Sequence, residues 1–213
     1  SDISDAGSLR VGASVTVGST ILPPVLRMLR TDNPRLRLHL AVDNTAAIIE
    51  GLSSAELDIA CVEGMSEWSG ILAEDLYEDE LGLICGPDDA LASSSPVSLS
   101  DLRGRGFIVR ESGSGTRETF VNALSAAGID WEELGVVNST DAIIELVACG
   151  LGLSFVSRLL SRGAVAEGRV RAVELGGFSV RRRFRLVRRR GKQETELMEA
   201  FSLACRRLVE SWK

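Results

Sequence analysis

Three times in this chain a short apolar run stops at a cluster of small hydroxyl residues and gives way to a helical pattern. The clusters are Ser14-Val15-Thr16, Ser112-Gly113-Ser114-Gly115-Thr116 and Asn138-Ser139-Thr140. A strand that leads repeatedly into a helix builds an α/β fold with much of its sheet parallel, because parallel neighbours need a long crossover and a helix supplies it. The pattern predicts strands over 9–13, 35–42, 57–62, 76–86, 107–109, 135–137, 150–156 and 181–190. It predicts helices over 21–30, from Asn44 or Thr45 through Leu52, over 117–127, from the Asn138-Ser139-Thr140-Asp141 cluster through Ala148, and over 194–212. Residues 14–19 and 111–116 read as turns. Pro23 and Pro24 fall in a first helical turn, where a missing N–H costs little.

The 213 residues suffice for one large domain or two lobes of about 100 residues each. No apolar run approaches the roughly 18 residues that cross a bilayer. The small, polar start over 1–8 reads as a linker remnant without a signal peptide, and predicts a chain cut from something longer. With a net charge of −6 and a pI near 5.0, the chain as a whole is a poor binder of DNA. The arginine-rich stretch 181–190 is the local exception. Alternation turns Phe184 and Leu186 inward and leaves the arginines solvated; a contact surface for DNA or another domain is the competing reading.

Cys61, Cys85, Cys149 and Cys205 are widely spaced beside apolar residues, which predicts four buried, reduced thiols in a cytoplasmic protein. His39 is the lone histidine, on an alternating strand. That leaves no clustered metal ligands and no imidazole base for a Ser-His-Asp or Cys-His centre. The expectation is a protein that is not an enzyme, with no metal and no cofactor.

The three hydroxyl clusters are the candidate chemistry. A helix N-terminus carries unpaired N–H groups and a partial positive charge, so it favours anions. Open α/β sheets place their ligands at strand C-ends, where all three clusters lie. Ser14, Val15, Thr16, Ser112, Ser114, Thr116, Ser139 and Thr140 are therefore candidate ligand contacts, although Ser and Thr are also ordinary helix caps. Arg110 and Arg117 flank the middle cluster and suit bidentate recognition of an oxyanion; pairing with Glu111 or Glu118 is the alternative. No G-K-[ST] follows the glycines, so this is no nucleotide P-loop.

In order and spacing, these residues resemble a known family. Leu9-Arg10-Val11-Gly12-Ala13-Ser14, Leu22-Pro23, Asn33-Pro34-Arg35-Leu36-Arg37-Leu38 and Glu56-Leu57-Asp58-Ile59-Ala60 look like the first half of a LysR-type effector-binding domain. Arg110-Glu111-Ser112-Gly113-Ser114-Gly115-Thr116-Arg117 and Gly150-Leu151-Gly152-Leu153 continue the match. Ala55 departs from it, standing where the family commonly has glycine. The resemblance implies a type 2 periplasmic-binding-protein fold, with two Rossmann-like lobes joined by two crossover strands. It puts lobe I at 9–84 plus 185–213 and lobe II at 85–184. It adds Glu63 to the effector contacts and places the effector between the lobes. Sulfite, another inorganic anion or a small carboxylate is the implied effector. The implied partners are a second copy, in a homodimer or tetramer, and DNA only through a missing N-terminal winged helix-turn-helix. Helix 21–30 of one protomer would lie beside helix 117–127 of the other. The rival reading is an extracytoplasmic solute-binding protein of a transporter, which shares the fold.

Overall fold

Helix and strand alternate through the chain in a computed structural model that describes residues 7–94 and 96–212. Residues 1–6 of the expected linker lie outside the described residues. Two compact units emerge, one from 1–77 with 183–213 and one from 78–182. Two long strands, β4 (Ile71–Cys85) and β9 (Val180–Arg189), each run from one unit into the other. The chain changes unit at 77/78 and 182/183, whereas sequence reading put the boundaries at 84/85 and 184/185. Both points fall inside continuous strands, where no turn or breaker marks them.

In the first unit, β1 (Ser8–Ser14) lies between two parallel neighbours, β2 (Arg37–Asp43) and β3 (Ile59–Glu63), and β9 runs antiparallel to β3. Leu9, Val11 and Ala13 alternate into the core on one face of β1. The other face carries Gly12, where an added Cβ would meet Leu57 Cδ1 at 2.6 Å and Ile48 Cγ2 at 2.9 Å. Gly12 thereby lets α3 (Thr45–Ser53) lie close on the sheet, and Asn44 caps that helix through Ala47 N–H at 3.0 Å. The expected turn over 14–19 is instead a short helix, α1 (Val15–Thr20), which leads directly into α2 (Leu22–Asp32). Val and Thr are poor helix formers, so tertiary burial of Thr16 and Val17 holds α1. The last helix, α7 (Glu196–Glu210), packs against α2 and buries Phe201 and Cys205.

In the second unit, β5 (Gly106–Val109) and β6 (Glu132–Val136) are parallel neighbours. β7 (Ser154–Ser157) and β8 (Arg171–Val173) run antiparallel to β4. The helix α4 (Gly115–Ala126) starts two residues earlier than expected, so Gly115 and Thr116 belong to its first turn. Phe107, Phe120 and Phe155 stack with ring centroids 5.8–6.1 Å apart, and Trp131 closes the cluster against Phe107 and Phe120. This cluster seats α4 beside β5 and β7. The helix α5 (Thr140–Ala148) covers β5 and β7 with Ile143, Ile144 and Val147. Gly150 and Gly152 form a turn instead of opening a strand, both with positive φ. A further helix, α6 (Arg158–Ala166), and β8 have no counterpart in the sequence expectation.

Two other expectations need correction. Arg182 and Arg185 on β9 are buried, not solvated, at 1% and 8% exposure. Cys149 is exposed at the C-cap of α5, while the other three cysteines are buried and unbridged.

Candidate functional site

The candidate residues fall into two sets, one in each unit. In the first unit, Ser14 ends β1 at the N-cap position of α1, where its side chain makes no capping hydrogen bond. Its hydroxyl donates to the Glu63 carboxylate and accepts the Glu63 N–H at 3.0 Å. Thr45 Oγ1 donates to the Glu63 carbonyl at 2.9 Å. Parallel pairing of β1 with β3 brings Ser14 to Glu63, so this set is a closed arrangement around a buried carboxylate. Thr16 is buried and Val15 half-buried in α1.

In the second unit, β5 and β6 end side by side, with Val109 paired to Val136. The segments after them carry Arg110, Ser112, Ser114, Thr116, Ser139 and Thr140. Ser114 caps α4 through Arg117 N–H at 3.3 Å, and Ser139 caps α5 through Ala142 N–H at 3.2 Å. These two serines are therefore engaged as caps. Ser112 is exposed beside Gly113, whose φ of 90° is one that L side chains rarely adopt. Arg117 is committed to the fold, donating to the Arg110 carbonyl at 3.0 Å and to Glu133 Oε2 at 2.7 Å.

Arg110 differs. Its side chain is 2% exposed, and Nε and Nη2 form a fork to the two Glu111 oxygens, both at 2.8 Å. Its Nη1 is buried with no hydrogen-bond partner, and so is Thr140 Oγ1. Leaving a buried polar group unsatisfied costs about 1–3 kcal/mol, and more for a charged one. The residues bearing these two atoms follow neighbouring strand C-ends, and an acceptor is what the guanidinium nitrogen lacks.

Sequence reading missed a third group beside these loops. Arg182 Nε donates to Asp79 Oδ2 at 2.8 Å, and Arg182 Nη1 donates to Thr116 Oγ1 at 2.6 Å. Ser157 Oγ completes the cluster, donating to Asp79 Oδ1 at 2.8 Å. A signal was present: a period of two puts Arg182 on the same strand face as Phe184 and Leu186.

Among the described residues, no three His, Cys, Asp or Glu side chains are grouped to hold a metal. Burial pushes the Cys205 thiol up to about 12 and Cys85 to about 11, and raises Cys61 as well. These thiols are poor nucleophiles at neutral pH. A groove of about 460 Å³ lies along α2 and α7, lined by Met28, Leu36, Leu197 and Leu203. Leu36 precedes Arg37, which pairs with Ser8 at the start of β1, so this groove is at the opposite strand end from Ser14. Among the described residues, no helix is long and apolar enough to cross a membrane.

A family model described as the LysR substrate binding domain matches residues 3–210. The transcriptional regulator CysL of Bacillus subtilis is 30% identical over 195 residues, which is 92% of this chain and 65% of that protein. The chain thus spans a little under two thirds of that relative's length. The CcmR regulatory domain of Synechocystis PCC6803, solved in complex with 2-PG, superposes with a TM-score of 0.87 at 24% identity, covering 95% of this chain and 97% of that one. The effector binding domain of QuiR, solved with shikimate, gives a TM-score of 0.85 at 18% identity over 97% of this chain and 99% of that one.

Proposed function

We propose, from the premise that this chain belongs to the LysR substrate-binding domain family, that it senses a small anionic metabolite for a transcriptional regulator. The observation that carries the anion is the pair of buried, unpartnered atoms in the second unit, Arg110 Nη1 and Thr140 Oγ1. A guanidinium nitrogen can only donate, so its partner must offer lone pairs. An oxyanion does so and also balances charge in a buried setting. Sulfite, another inorganic anion or a small carboxylate meets that requirement. Ser14, Val15, Thr16 and Glu63 are the first unit's share of the same proposal, and Ser112 and Thr116 complete the second unit's.

The chain acts by binding, with no catalytic step, metal or cofactor. In the full-length regulator a DNA-reading helix-turn-helix accompanies it, and the protein works in the cytoplasm as a homodimer or tetramer. The matched relative is a transcriptional regulator, so the solute-receptor alternative is not carried further. An effector controls such a protein only through unequal affinity for two of its arrangements.

A thermal-shift panel of sulfite, sulfate, phosphate and small carboxylates tests the reading, with calorimetric titration of whatever binds. An anion at about 100 times its Kd stabilises the fold by roughly 2.7 kcal/mol. Arg110→Gln is expected to weaken that anion by about 10- to 150-fold. Neutral analogues binding as well as the anions, or no anion binding at all, would refute the proposal.

A further inference from the structure

Thr116 and Thr119 stand one turn apart on α4, yet their hydroxyls are used in opposite senses. Thr119 Oγ1 donates its proton to the Gly115 carbonyl at 2.7 Å. Thr116 Oγ1 instead accepts from Arg182 Nη1 at 2.6 Å. A guanidinium carries five N–H donors and no acceptor, so the Thr116 oxygen has no choice of role in this bond. Its own proton must then point away from Arg182. Among the described residues it donates to no protein oxygen, although the residue is only 4% exposed.

The guanidinium that imposes this role is itself tightly held. Arg182 and Asp79 have side-chain exposures of 0% and 2%, with Nε on Oδ2 at 2.8 Å. The remaining Asp79 oxygen is taken by Ser157 Oγ. Strands β4, β7 and β9 therefore fix the guanidinium before it reaches α4. A short bond from an ionised donor also polarises the hydroxyl that accepts it and strengthens the bond that hydroxyl can give.

We infer that Arg182 is a positioning residue that sets ligand specificity by locking the Thr116 hydroxyl as a donor. This inference rests on the reading of the Arg110–Thr140 loops as the effector site. The α4 end of that site then takes ligand groups presenting only lone pairs, such as a carboxylate or the oxyanion of sulfur or phosphorus. It rejects groups presenting N–H or O–H at the same place. A free hydroxyl would discriminate far less, because it rotates to donate or accept as the ligand requires.

The test is calorimetric titration of the chain with sulfite and glycolate, with glycolamide as the neutral isostere of glycolate. Thr116→Val is expected to weaken both anions by roughly 10- to 150-fold, and Thr116→Ser to restore them. Removing the buried pair together, as Arg182→Met with Asp79→Leu, avoids stranding a buried charge. It is expected to lower the preference for glycolate over glycolamide by about tenfold or more. Adding Thr116→Val to that double variant should then leave the glycolate-to-glycolamide ratio unmoved, because the two changes abolish the same discrimination. Arg182→Lys supplies the same readout should the double variant fail to fold; its ammonium can serve Asp79 but cannot span to Thr116 in the guanidinium's fork. A merely structural Arg182 would lower the melting temperature and leave the glycolate-to-glycolamide ratio unmoved, which overturns the inference while the anion reading stands. Anion binding that survives Thr116→Val has the same effect. Wild-type chain that binds neither sulfite nor glycolate overturns the anion reading and this inference together.

Discussion

Ser14 and Thr140 occupy matching places, each where a strand has ended and a helix is beginning, but their hydroxyls differ in company. Ser14 exchanges two hydrogen bonds with Glu63, one in each direction. Thr140 Oγ1 is buried without a partner, as is Arg110 Nη1 in the same unit. The first unit contributes an arrangement that is already satisfied internally. The second keeps a guanidinium N–H that only an acceptor relieves, and a hydroxyl that an acceptor can also satisfy. The same sequence signal, a hydroxyl after a strand, thus gives a hydroxyl already held by the protein in one unit and an unpartnered one in the other.

Substitution at the two positions should therefore register in different measurements. Thr140→Val is expected to weaken anion binding by roughly 10- to 150-fold while leaving the melting temperature unchanged or slightly higher, since it deletes an unsatisfied group. Ser14→Ala is expected to register first in stability, lowering it by about 1.5–3 kcal/mol because a buried carboxylate loses a donor. Denaturant unfolding beside calorimetry reads both. A large affinity loss in Ser14→Ala with no change in stability would erase the distinction.

Acid should reach the first unit through Asp58. Burial pushes its carboxyl up, but hydrogen bonds from Arg10 and Lys192, with the Arg10 N–H, outweigh this and hold it well below the usual carboxylate range. A depressed carboxylate contributes stability that is fully present above its unfolded value of about 3.9 and is lost as pH falls through the folded value. Unfolding followed from pH 7 down to the acid limit should show that loss below about pH 4, and Asp58→Asn should flatten it. An unchanged acid limb in Asp58→Asn would place the sensitivity elsewhere.

The smallest effect is expected at Ala55, with its φ of 65°. Only glycine takes that conformation freely. Ala55→Gly is expected to stabilise the fold by about 0.5–1 kcal/mol, after the added entropy of the unfolded chain is offset. A lower melting temperature would show that the alanine side chain contributes packing that outweighs its strain.

Local signals were legible, and contacts between distant residues were not. Asn44 as a cap, the inward alternation of Leu9, Val11 and Ala13, and the glycine stop at Gly128 all follow from neighbours in sequence. The helix α1 was not readable, because Val15-Thr16-Val17-Gly18 has weak propensity and takes its form from burial. The alternation of β9 already turned Arg182 inward, but its partner Asp79 lies far away on another strand, and no local pattern shows that pairing. For the site, residue types were readable while their duties were not. Ser114 and Ser139 proved to be caps and Arg117 a brace, and only Arg110 and Thr140 emerged with buried atoms unpartnered.

The second unit is one uninterrupted stretch of chain, whereas the first is assembled from both ends. Synthesis runs from the N-terminus, so every residue of the second unit has been made before the last segment of the first exists. Until then β3 lacks β9 along its edge, and α2 lacks the apolar face of α7 with Phe201 and Cys205. Apolar surface and an open strand edge left exposed during synthesis invite association with other chains. The first unit's core thus stays incomplete until the segment from Arg183 onward has been made, and its final closure joins α7 to the far earlier α2.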